Sequence, residues 1–214
     1  TFRSSVIAGG VFRIGVGAMP FLLPLLFQLG FGMSPLQSGL MTFTSAMGAM
    51  IVKAFAKRFV TRFGFRRLLI GNALIASSFI AACAVFSPSL PLPLIIGILL
   101  CGGFFRSLEF TCINALSFAD VEQQRMSRAT TLSAVWQQLS IAAGVAAGAF
   151  IVEFTVRANG TGAISAADFP PAFLIIGAIS ACSALLFMQL PHDAGALLAA
   201  PPPNEPERID PPPA

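Results

Sequence analysis

The chain reads as an all-α integral membrane protein, a bundle of six transmembrane helices, and three features of the sequence predict that class. Of its 214 residues, 56% are hydrophobic and only 10% are charged, whereas soluble chains carry about 25% charged residues. The apolar residues fall in long blocks, and about 20 apolar residues cross the hydrocarbon core of a bilayer. The basic residues are concentrated in the connectors rather than spread over a surface. Six of the 13 Lys and Arg residues, namely Lys53, Lys57, Arg58, Arg62, Arg66 and Arg67, lie in one connector. The net charge of +4 therefore describes a cytoplasmic flank of a membrane protein, and no nucleic-acid partner is expected.

Six blocks satisfy the length criterion: Val6–Leu29, Leu36–Ala56, Leu68–Phe86, Leu92–Phe118, Ala129–Phe154 and Ala172–Leu190. Residues 1–190 are thus the membrane bundle. The connectors Gly30–Pro35, Ser87–Pro91 and Thr155–Pro171 share a single basic residue, Arg157. The opposite side holds the six-charge connector, the stretch from Asp120 to Arg128, and terminal arms with Arg3 and Arg208. Cytoplasmic connectors carry the excess of Lys and Arg, so both termini are expected in the cytoplasm of a multi-pass inner (plasma) membrane protein. From Pro191 onward, runs such as Pro201-Pro202-Pro203 and Pro211-Pro212-Pro213 cannot build a packed core, which predicts a disordered cytoplasmic tail over 191–214. The chain opens on Thr1, almost directly in an apolar stretch, with no visible signal peptide, and reads as a fragment of a longer protein.

In the first span, Gly9, Gly10, Gly15 and Gly17 permit close helix approach, while Pro20 and Pro24 each remove a backbone donor and are expected to bend the helix or free a carbonyl. Arg13, about two turns in, either snorkels to the cytoplasmic headgroups or faces the bundle and meets Glu109; snorkelling is the expectation. The fourth span holds the most informative stretch, Phe104-Phe105-Arg106-Ser107-Leu108-Glu109-Phe110-Thr111. An ionisable residue at bilayer depth costs roughly 2.5–3.5 kcal/mol on the insertion scale and usually faces a protein interior or a water-filled path. Arg106 and Glu109 are three apart and share a helix face, so they are expected to neutralise each other, either beside a cavity or as a structural ion pair. In the fifth span, Gly144 and Gly148 form a small-xxx-small pair. Gln137 serves as interhelix glue or as a solute contact, and Trp136 as an interface anchor or a packing residue. Glu153 lies at the solvated outer end, and Asn159-Gly160-Thr161 matches a glycosylation sequon of little weight.

Enzymatic chemistry finds no support. There is no Gly-x-Ser-x-Gly elbow and no Gly-x-x-x-x-Gly-Lys phosphate loop, and His192 is the sole histidine. Cys83, Cys101, Cys112 and Cys182 show no paired spacing and sit in apolar segments, so neither a disulfide framework nor a metal site is expected. No cofactor is implied.

Two stretches bear a family resemblance. Arg62, Gly64, Arg66 and Arg67 match the signature loop Gly-x-x-x-Asp-Arg-x-Gly-Arg-Arg that joins the second and third helices in each half of major facilitator transporters, with Lys57 and Thr61 where its glycine and aspartate would stand. The stretch from Phe104 to Thr111, with Asn114, Ala115 and Ala119-Asp120-Val121, resembles the fourth span of the C-terminal half in the fourteen-helix drug:proton antiporters of the EmrB/QacA type. Phe12-Arg13-Ile14-Gly15, Pro20–Pro24, Ser34–Gly39 and Val135–Ser140 resemble the same branch. The resemblance implies the C-terminal six-helix half of a secondary transporter that exports small amphipathic or apolar solutes by alternating access, coupled to protons. It also implies an N-terminal half as partner, in the same longer chain or as a separate one, and the lipid bilayer as environment. Arg106, Glu109, Asn114, Gln137 and Arg13 are the candidate solute or proton pathway. Within it Glu109 is the candidate coupling group, with a fixed structural role as the competing account. The alternatives are a non-transporting membrane bundle and a major facilitator for another small solute.

Overall fold

The computed structural model describes residues 2–118, 126–160 and 162–190, without the side chains of residues 2–5 and 53–57. The expected tail over 191–214, His192, Asp120 to Arg125, and the side chains of Arg3, Lys53 and Lys57 lie outside the described residues. Among the described residues six long helices are present: α1 Phe2–Leu25, α2 Pro35–Phe63, α3 Phe65–Ala82, α4 Leu92–Phe118, α5 Met126–Asn159 and α6 Pro170–Phe187. Short π and 3-10 turns, Leu26–Gly30, Cys83–Val85 and Ala166–Asp168, extend α1, α3 and the start of α6. Among the described residues five segments are long and apolar enough to cross a membrane, namely all but α2. α2 is 29 residues long, and its residues 53–57 have no described side chains.

The helices form two rows. In the front row α2 packs on α4, α4 also meets α1, and α1 packs on α5. Behind them α3 rests on α4 and α6, and α6 on α1. This order makes α1 the most enclosed helix, with Phe12, Leu22, Leu26 and Phe27 fully buried. The two front-row contacts are made at backbone distance. A Cβ on Gly48 would fall on the Leu100 carbonyl and one on Gly103 on the Ser45 carbonyl, so α2 and α4 touch with no side chain between them. On the other flank, Gly144 faces the Ile14 carbonyl and Gly17 the backbone of Ile141. Small residues at such crossings let dispersion contacts act between whole backbones, the main attraction open to helices in lipid.

The expected boundaries hold for α4 and shift elsewhere. The predicted second span stops at Ala56, whereas α2 continues to Phe63. The six-charge connector is thus mostly helix, and the chain reverses at one residue, Gly64, which ends α2 and precedes α3. Its φ of 71° is a conformation in which a Cβ is strained. Basic side chains tolerate a helix there because they reach headgroups and water past the span's end. At the other end of α2, Ser34 accepts from the Gln37 amide at 3.3 Å and the Gln37 side chain accepts from the Ser34 amide at 2.9 Å, so Pro35 begins the helix inside a capping box. Pro20 and Pro24 do not break α1, which runs through both before the π turn. The Pro24 carbonyl accepts from Ser38 Oγ at 3.4 Å, tying α1 to α2.

The packing generates a test. Gly103→Ala places a methyl on a backbone carbonyl that cannot yield, and overpacking of this kind costs roughly 1–3 kcal/mol. The variant should melt at a lower temperature in detergent, while Gly97→Ala on the same helix, where nothing lies within 4 Å, should not. Equal melting of the two would refute the close α2–α4 contact.

Candidate functional site

The polar groups of the bundle gather around α4, and the contact between α2 and α4 positions the first of them. Because Gly103 rests on the Ser45 carbonyl, Ser45 is carried alongside Arg106, one turn further on. Arg106 Nη2 donates to Ser45 Oγ at 2.6 Å, and Ser107 Oγ reinforces the crossing by donating to the Ala49 carbonyl at 3.1 Å. Arg106 is half-buried and lies near the middle of α4. It lines a cleft of about 220 Å³ whose wall is completed by Met19, Pro20, Leu23 and Pro24 of α1 and Thr42, Ser45 and Ala46 of α2. The wall carries no carboxylate.

Glu109 has no accessible surface and points the other way. Asn72 Nδ2, from α3, donates to Glu109 Oε2 at 2.7 Å and to the Phe105 carbonyl at 2.8 Å. Glu109 Oε1 and Asn72 Oδ1 have no hydrogen-bond partner among the described residues. The expected pairing of Arg106 with Glu109 is therefore corrected: among the described residues no ion pair joins them, and each is bound by a different neighbouring helix. The reason is angular. Three residues of a helix turn short of a full circle by about 60°, and α4 stands between α2 and α3, so a small offset sends one side chain to each.

The expectation that Arg13 snorkels is also corrected. Arg13 is 1% exposed. Its Nη2 donates to Asn114 Oδ1 at 2.6 Å, and its guanidinium lies over the Phe110 ring at 5.3 Å from the centroid. Nε and Nη1 find no acceptor among the described residues. An amide oxygen and an aromatic face on α4 take its charge locally. Arg13 and Asn114, two of the predicted pathway residues, are thus brought together, but Glu109 is not their partner.

Gln137 is half-buried on α5 and makes no hydrogen bond to the described residues. Its neighbour Trp136 donates from Nε1 to the Val6 carbonyl at 2.9 Å, a cross-helix tie near the start of α1. In the signature stretch Gly64 makes the reversal described above, and Arg66 Nη2 donates to the Met188 carbonyl at 2.7 Å, latching α3 to the end of α6. Arg62 lies 6.0 Å from the centroid of the Phe63 ring, and Arg67 is exposed. Near the end of α5 Glu153 pairs with Arg157 at 2.8 Å, and Asn159 donates to Asp168 at 2.7 Å. Cys83 and Cys112 are buried, and all four cysteines are free.

Two site residues escape sequence reasoning. Asn72 had a signal, since it is an amide in an otherwise apolar span, where such groups seek partners on other helices. Ser45 had none, being one of several hydroxyls in α2.

Asn72 and Glu109 form a checkable unit. Removing one partner of a buried polar pair costs about 1–3 kcal/mol, more for a charge, whereas replacing both by apolar groups is close to neutral. Asn72→Leu should lower the melting temperature, and adding Glu109→Leu should restore most of the loss. A double variant as unstable as the sum of its singles would show that the pair is not coupled.

Comparison with known proteins places these features in a family. The family model described as Major Facilitator Superfamily matches residues 5–211. Relatives include MdtD of Yersinia pestis (strain Pestoides F) and of Yersinia pseudotuberculosis serotype O:1b (strain IP 31758), both named as candidate multidrug resistance proteins. Each is 34% identical over 194 residues, which covers 86% of this chain. The chain spans 40% of the length of these curated relatives.

Proposed function

The chain belongs to the Major Facilitator Superfamily, and from that premise we propose that it is the C-terminal half of a proton-coupled exporter of small amphipathic or apolar solutes. It is a multi-pass membrane protein with no enzymatic role in this reading. The observation that carries the proposal is the cleft at Arg106: a guanidinium near the middle of a membrane helix, opening onto space shared by α1, α2 and α4. Charges at this depth belong to solute or ion paths far more often than to lipid-facing surfaces. Similarity to MdtD proteins over 86% of the chain supports drug export as the class of activity. Alternating access then follows from two six-helix bundles rocking about a midplane site. This chain supplies one bundle, and an N-terminal half supplies the other. Exposed apolar stripes support such docking: Leu36, Leu40, Phe43, Met47 and Met50 lie at helical spacing along α2, and Leu132, Val135, Trp136 and Leu139 along α5.

Expressed with its N-terminal half in exporter-deficient bacteria, the protein should lower accumulation of a fluorescent drug, and Arg106→Gln should reduce that efflux severalfold. Unchanged efflux in the variant would remove Arg106 from the path.

For Glu109 the structural account is favoured by a specific observation, its complete burial against Asn72. Glutamine at 109 keeps an oxygen for Asn72 to bond. Glu109→Gln should therefore retain efflux driven by a pH gradient, and loss of the pH dependence with solute binding intact would make Glu109 the coupling group instead.

Orientation in an inner membrane follows from the basic cluster at Arg58, Arg62, Arg66 and Arg67, at the end of the bundle opposite Arg157. In a background without the native cysteines, Ala158→Cys should react with an impermeant thiol reagent applied to intact cells, and Thr61→Cys should not. The reverse pattern would invert the topology.

A further inference from the structure

We propose that the cleft at Arg106 is an anion site, so that the solutes this bundle selects carry a carboxylate on a compact apolar body. The inference rests on reading the cleft as a solute path and adds the charge of its ligand. A guanidinium has five N–H donors and no acceptor. Among the described residues Arg106 spends one on Ser45 Oγ, and none of its nitrogens is buried without a partner. The remaining donors are thus not sealed off, and Arg106 lines the cleft. None of the other seven lining residues is acidic, and the Thr42 hydroxyl is turned back onto the carbonyls of Ser38 and Gly39 in its own helix. The carboxylate nearest in sequence, Glu109, is sealed on the α3 side of α4. The wall therefore offers a fixed positive charge without a counter-ion among its lining residues. A lipophilic cation would meet repulsion there with nothing to pair with. A carboxylate would satisfy the planar donor fork, which binds such groups in bidentate fashion.

The rest of the wall defines the body of the ligand. Met19, Leu23 and Ala46 are apolar, and Pro20 and Pro24 carry no backbone donor. A volume of about 220 Å³ falls below the roughly 300–1,000 Å³ of ordinary ligand pockets. It suits a single charged end with one or two rings.

Three probes of one shape separate the possibilities: 1-naphthoate, the neutral 1-naphthamide and the cation 1-naphthylmethylammonium. Titrated calorimetrically into the purified chain in detergent, naphthoate should bind at least tenfold more tightly than either of the others. Arg106→Lys should weaken naphthoate several-fold while keeping the order of the three, and Arg106→Gln should abolish the preference. Equal affinities, preference for the cation, or an anion preference that survives Arg106→Gln would each overturn the proposal. Should Arg106→Gln not fold, the native chain decides: naphthoate, and not naphthamide, should slow modification of Arg106 by phenylglyoxal at least threefold, read by mass spectrometry. Absence of protection refutes the site. Binding is measured without transport, so a chain that binds naphthoate but exports nothing contradicts the exporter reading alone. Export of lipophilic cations without naphthoate binding contradicts this inference alone.

Discussion

A charged side chain inside a bilayer has to find its solvation within the protein, and the rotation of α4 in this bundle follows from how three such residues do so. Arg13, Arg106 and Glu109 all belong to helices long and apolar enough to cross the membrane. None of them pairs with another. Each takes a neutral partner from an adjacent helix: Asn114 on α4 for Arg13, Ser45 on α2 for Arg106, and Asn72 on α3 for Glu109. The polar contacts thus radiate from α4 to three neighbours and fix its rotation. Turning α4 about its axis would break all three at once.

These bonds need helices at close range, and the glycines set that range. Interhelical hydrogen bonds in membranes contribute only ~0.6 kcal/mol on average, too little to draw helices together by themselves. The backbone contacts at Gly48 and Gly103, and at Gly17 and Gly144, are the larger organising term, because dispersion grows with the number of atoms brought together. Polar groups then select one register among those that packing allows. The same division explains the cleft. Gly103 brings Ser45 to Arg106, while Pro20 and Pro24 supply a wall on α1 that offers no backbone donor.

The two ends of the bundle obey different rules. At the basic end, α2 continues through Arg58 and Arg62, and one glycine reverses the chain into α3. Arg66 then closes on the last turn of α6 through the Met188 carbonyl, where a cation meets the partial negative charge of a helix C-terminus. The signature resemblance at Gly64 and Arg66 is thus matched by a physical task for each, a reversal in one case and a latch in the other. At the opposite end, Asp168 gathers the amide and hydroxyl of Ser165 and the side chain of Asn159, organising the turn before α6.

Composition and block length determined the class of this protein. Long apolar runs admit few structures in lipid other than helices, since every backbone group must be bonded within its own segment. That constraint is local, so the six helices, the limits of α4 and the crowding of cations at one end were legible from the residue order alone. Close approach at Gly144 was legible too, because a missing side chain is a local property with a geometric result. Partner choice was not. Spacing along α4 puts Arg106 and Glu109 on one face and suggests a pair, yet their bonds depend on which helices flank α4 and at what rotation. Arg13 turned inward for the same reason, its acceptor lying 101 residues away along the chain. Ser45 carries no mark that separates it from the other hydroxyls of α2 until packing sets it beside a guanidinium. A bond between helices is decided by distance and direction in three dimensions, and those exist only once the backbones have met.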